Sequence, residues 1–63
     1  MKPFEDQMDH RYGDRGGWKG LKQIFSANLP YEMKIENVKT QYRVSRGTAV
    51  SWYKQYRAIV GLQ

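Results

Sequence analysis

An all-α fold of three helices behind an irregular N-terminal arm is what this sequence predicts, on three observations. Apolar side chains recur at spacings of three and four from Trp18 onward, the period at which one helix face turns toward a core. Leu29-Pro30 and the run Arg43-Val44-Ser45 interrupt that period, which leaves three helical segments within residues 18–63. Ahead of them, Pro3 and Tyr12-Gly13-Asp14-Arg15-Gly16-Gly17 give neither helical nor strand alternation, so residues 1–17 are expected as a flexible or loosely packed arm.

The first of the three helices is expected from Gly17 or Trp18 to Asn28, with Trp18, Leu21, Ile24 and Phe25 as its apolar stripe and Lys19, Lys22 and Gln23 on the other side. Leu29-Pro30 ends it, because the residue before proline is pushed out of the α region and proline cannot continue a helix interior. Pro30 then opens a second helix in which Tyr31, Ile35, Val38 and Tyr42 share one face. Glu32 near its start and Lys39 and Arg43 near its end suit the two poles of the helix dipole. After the turn, Ser45 is placed to cap a third helix, its hydroxyl accepting from the backbone near Thr48. That helix runs from Arg46 to about Val60 with Ala49, Trp52, Tyr56 and Ile59 inward, and Gly61 ends it as a residue free to take positive φ.

Size and composition bound what such a fold can do. A chain of 63 residues makes one small domain, which buries only roughly 60% of its unfolded surface and is marginal alone. It has no cysteine, so neither a disulfide nor a cysteine-held zinc ion fastens it. An aromatic content of 14% supplies the large side chains of the core instead. No apolar run approaches a membrane span and no signal-type apolar region follows the charged start, so the expected compartment is the cytoplasm or its nucleoid.

The net charge of +5 is unevenly spread. Residues 1–16 are slightly acidic, whereas residues 33–63 carry Lys34, Lys39, Arg43, Arg46, Lys54 and Arg57 against the single acid Glu36. A concentrated positive field attracts polyphosphate and releases counterions on binding, so a nucleic acid is the partner this asymmetry suggests. The spacing of Val38, Tyr42, Val44, Ala49 and Trp52 would bury all five between two helices and leave Ser, Arg, Gly, Thr and Lys outside. That pattern fits a helix-turn-helix.

Val38, Tyr42, Val44, Ser45, Thr48, Ala49 and Trp52 also resemble the helix-turn-helix of transposases, resolvases and small phage or bacterial regulators, whose typical run is Val-Ala-x-x-Phe/Leu-Gly-Val-Ser-x-x-Thr-Val-x-x-Trp. The resemblance covers about a third of the chain and implies a DNA-binding unit whose last helix enters the major groove. Lys39 departs from it by standing where alanine is usual, and Arg43 by standing where glycine is usual. A non-glycine left-handed residue in that turn costs on the order of 1 kcal/mol.

If Ala49, Trp52 and Tyr56 face inward, Arg46, Gly47, Val50 and Ser51 face the bases and Lys54 and Arg57 the phosphates. Arg46 has the donors for guanine, Val50 the surface for a thymine methyl and Ser51 a hydroxyl for a base or a phosphate. Lys39, Thr40, Arg43 and Ser45 extend the phosphate contacts, and Arg11, Tyr12 and Arg15 of the arm are suited to a minor groove or a phosphate.

Enzyme chemistry finds no foothold. There is no glycine-rich phosphate loop, no His-Glu-x-x-His and no cysteine nucleophile. His10 is the lone histidine, and no cofactor, metal or small-molecule ligand is expected. The expected function is that of a sequence-specific double-stranded DNA-binding regulator of phage or mobile-element character, repressor-like and acting as a monomer or a homodimer, with an accessory role in recombination, replication or packaging as the alternative. A different class is a small protein-binding inhibitor of a host factor, which would use Phe4, Tyr12 and Tyr53 as exposed aromatics and ignore DNA.

Overall fold

The computed structural model describes residues 3–61, and among them four α-helices follow one another with no strand. They are α1 (Phe4–Tyr12), α2 (Gly17–Ser26), α3 (Tyr31–Tyr42) and α4 (Arg46–Val60), with a single tight helical turn, Gly13–Arg15, between α1 and α2. The all-α class expected from the periodicity is therefore present, but with one more helix than expected. Residues 4–12 are not an irregular arm.

α1 forms because Phe4, Met8 and Tyr12 recur every fourth residue and have a surface to cover. Met8 is buried to 2% exposure, and Phe4 and Tyr12 pack at the edge of the same core. Pro3 precedes the helix, where its missing N–H costs nothing, Glu5 and Asp6 occupy the first turn, and His10 and Arg11 the last. Asp9 adds a tertiary tie: its Oδ1 accepts from the Trp18 backbone N–H at 3.0 Å, capping the start of α2 from a different helix.

The core combines Met8 with Leu21 and Phe25 of α2, Ile35, Val38 and Tyr42 of α3, and Ala49, Trp52 and Tyr56 of α4. The two tryptophans, five tyrosines and two phenylalanines of the sequence form one continuous set of ring contacts. Tyr31 packs on Tyr53, Tyr53 on Phe25, Phe25 on Tyr56 and Tyr56 on Trp18. Trp18 continues to Phe4, Phe4 to Trp52, and Trp52 to both Tyr12 and Tyr42. The closest pairs have centroids 5.0 Å apart and cross near the perpendicular, the arrangement that the ring quadrupole favours.

Polar contacts lock α3 against the glycine-rich entry to α2. The buried Tyr42 hydroxyl donates to the Gly17 carbonyl at 2.8 Å, and Gln41 Nε2 donates to the Arg15 carbonyl at 2.8 Å. A Cβ on Gly20 would lie 2.8 Å from the Tyr42 hydroxyl, and one on Gly16 would lie 2.9 Å from it. Gly16 and Gly17 also hold φ of 124° and 58°, conformations open to glycine at little cost. These glycines form the seat of a buried phenol.

Smaller departures concern helix ends. α2 stops at Ser26, short of the expected Asn28, because Ala27 is extended and Leu29 N–H turns back to the Ala27 carbonyl at 2.9 Å. Tyr31, expected on the inner face of α3, is 40% exposed and rests on Tyr53. Gly61 follows α4 as expected but with φ of −69°, so no left-handed residue closes that helix.

Candidate nucleic-acid interface

The connection between α3 and α4 fixes where the candidate residues lie. Arg43 adopts φ 56° and ψ 52°, and among the described residues it alone, apart from glycines, has positive φ. Val44 N–H then donates back to the Lys39 carbonyl at 3.2 Å, the six-to-one bond that closes a helix through a left-handed residue. Val44 packs against the core beside it. Ser45 is the cap expected from the sequence: its hydroxyl accepts from Thr48 N–H at 3.3 Å and lies 3.1 Å from the Thr48 hydroxyl. Arg15 Nη1 donates to the Tyr42 carbonyl at 3.2 Å and so steadies the end of α3.

α4 turns Ala49, Trp52 and Tyr56 inward, leaves Gly47, Ser51 and Lys54 exposed on its opposite side, and leaves Arg57 exposed on a flank. Val50 differs from expectation: it is half-buried and packs partly on the core. Gly47 has no packing reason to be glycine, since a Cβ there would meet nothing within 4 Å and its φ is not positive. Arg43, Thr40 and Arg46 are exposed near the same end, and Lys39 is half-buried. Among the described residues Arg43, Lys54 and Arg57 have no ion-pair partner.

Both carboxylates that follow Asp14 in the chain pair with cations of this surface. Glu36 meets Lys39 at 3.3 Å. Glu32 holds Arg46 through two parallel bonds of 2.8 Å, Nη1 to Oε2 and Nη2 to Oε1. The hydrogen bond from Arg46 holds the Glu32 carboxyl below its ordinary value, opposed by desolvation and helped by the guanidinium charge, and the same bond raises the Arg46 guanidinium. Sequence reasoning assigned Glu32 to the helix dipole and missed this pairing. The two residues are fourteen positions apart, and no local spacing rule relates them.

The residues given to an arm are placed otherwise. Arg11 lies exposed on α1 beside a hollow of about 210 Å³ that Phe4, Met8, Tyr12, Thr48 and Trp52 also line. Tyr12 packs on Trp52 and Tyr42, and Arg15 is half-buried on the Tyr42 carbonyl. None belongs to an extended strand of chain that could thread a groove, because α1 and the turn after it are helical and carry core residues. Phe4 and Tyr53 are likewise half-buried in the ring contacts.

Among the described residues no group of histidine, cysteine, aspartate or glutamate is arranged to hold a metal ion, and no helix is long and apolar enough to cross a membrane. No protein-family model, curated protein or solved structure matches the chain.

Proposed function

We propose that this chain is a sequence-specific double-stranded DNA-binding protein of the helix-turn-helix type, with α3 and α4 as the helix pair and α4 as the element that enters the major groove. The observation that carries the reading is the exposed stripe Gly47, Ser51 and Lys54 on α4, opposite the buried Ala49, Trp52 and Tyr56, with the exposed Arg57 on its flank. A major groove admits such a helix. Lys54, Arg57 and Arg43 supply phosphate contacts, Arg46 and Ser51 supply base-directed donors, and the bare backbone at Gly47 permits close approach of the helix start. The left-handed Arg43 and the Ser45 cap support the same geometry, since they give the short turn that a helix pair of this type requires. Occupying an operator in this way would block polymerase without any chemistry, the action of a repressor.

Reading the surface as a protein-docking patch is weaker, because its proposed aromatics Phe4, Tyr12 and Tyr53 are tied into the ring network. Selection of bound duplexes from a random pool tests the DNA reading. The expected result is enrichment of a defined sequence, with an affinity that falls steeply between low and moderate salt. Recovery of random sequence, or binding indifferent to salt, refutes it.

A further inference from the structure

The Arg46–Glu32 pair is unusual for a DNA-facing cation because both Nη atoms of the guanidinium are already spent on a carboxylate. A guanidinium carries five N–H donors in a fixed plane. The end-on bonds to Glu32 use one donor from each Nη and leave the side edge, Nε–H with its neighbouring Nη–H, without a partner among the described residues. That edge still matches a two-acceptor partner such as guanine O6 and N7. Its charge, however, is cancelled by Glu32 only 2.8 Å away, so its attraction for a phosphate is weakened while its hydrogen-bond pattern is kept.

Resting on the DNA-binding reading above, we propose that Glu32 is a specificity-determining residue: it buttresses Arg46 in one orientation, discourages the guanidinium from settling on phosphate, and reserves its free edge for guanine. Both side chains are well exposed, at 49% for Arg46 and 65% for Glu32, and an exposed pair adds little to fold stability. The pair is also rigid where a lone arginine is not. Two parallel bonds fix the plane of the guanidinium, so less side-chain freedom is lost when a base edge is engaged.

The test compares wild type, Glu32→Gln and Arg46→Ala on two duplexes, one recovered by selection from a random pool and one of random sequence and equal length, by fluorescence anisotropy across a salt series. Glu32→Gln keeps the shape and removes the charge. It should bind random duplex more tightly, steepen the salt dependence by about 0.9 in log–log slope as Arg46 takes up one phosphate, and shrink the preference for the selected duplex. Arg46→Ala should lose roughly 5- to 150-fold of that preference with the salt slope unchanged. If Glu32→Gln binds both duplexes as wild type does and only melts earlier, the pair is a tie between helices and the assignment falls alone. If Arg46→Ala flattens the salt slope instead, Arg46 is a phosphate ligand and the assignment also falls. Failure of wild type to bind any duplex at low salt overturns the DNA reading itself, and this inference with it.

Discussion

If the proposed DNA-binding function holds, Gly47→Ala should strengthen the fold and weaken binding to DNA, two effects of opposite sign from one methyl group. Nothing lies within 4 Å of a Cβ built at this position, and the backbone is helical without positive φ. Alanine therefore adds no clash, and it removes the entropic cost of glycine in a helix, a gain of about 0.5–1 kcal/mol. In a domain of this size that corresponds to roughly 2–8 °C in melting temperature. On DNA the same methyl would stand where the start of α4 meets the backbone of the duplex. Loss of one hydrogen bond from a backbone N–H to a phosphate costs about 1.5–3 kcal/mol, or roughly 10- to 150-fold in affinity. Thermal melting followed by far-UV circular dichroism reads the first effect, and anisotropy with a labelled duplex reads the second. Gly13→Ala is the matched control, since it too is helical in φ and ψ and faces empty space; it should gain stability with binding unchanged. Wild-type affinity in Gly47→Ala would refute the close approach, and a loss of stability would refute the placement of Gly47 on an open helix face.

Further outcomes follow from the core. Gly20→Ala should destabilise by about 1–3 kcal/mol despite better helix propensity, because its Cβ would press on the Tyr42 hydroxyl; in a Tyr42→Phe background, with the ring carbon 4.0 Å away, the sign should reverse in denaturant melts. Met8→Ala should cost about 2–5 kcal/mol and Trp52→Ala about 3–5 kcal/mol, enough to unfold a marginal domain; an unaffected Met8→Ala would mean that α1 is not part of the core. Burial first, and the negative charge of Asp9 second, raise the Tyr42 phenol above its ordinary value of 10.0. Its contribution is therefore fully present below that pH and is lost as pH rises through the higher folded-state value, so alkaline melts should show a loss that Tyr42→Phe lacks.

The parts of the fold that local rules govern are legible in the sequence. Ser45 as a cap, Arg43 as the turn residue and the inward trio Ala49, Trp52 and Tyr56 all depend on neighbours within one or two helical turns. α1 was not legible, because its stripe is only one residue wide and Phe4, Met8 and Tyr12 acquire meaning only once Trp18, Tyr42 and Trp52 stand opposite. The glycines after Tyr12 read as a loop signal, yet Gly16 and Gly20 leave room for a phenol from a helix far along the chain, and the Gly17 carbonyl accepts its hydrogen bond. In the candidate interface, the exposed side of α4 followed from periodicity, whereas the neutralisation of Arg46 by Glu32 came from tertiary packing.

The unbroken run of rings from Tyr31 to Tyr42 couples the unfolding of the whole domain. α1 cannot peel away without stripping a neighbour from both indoles, since Phe4 packs on Trp18 and Trp52 alike. Detaching any one helix thus bares aromatic edges on the next, so half-melted species gain no refuge. Limited proteolysis and tryptophan emission should therefore report one shared transition, whichever helix is destabilised.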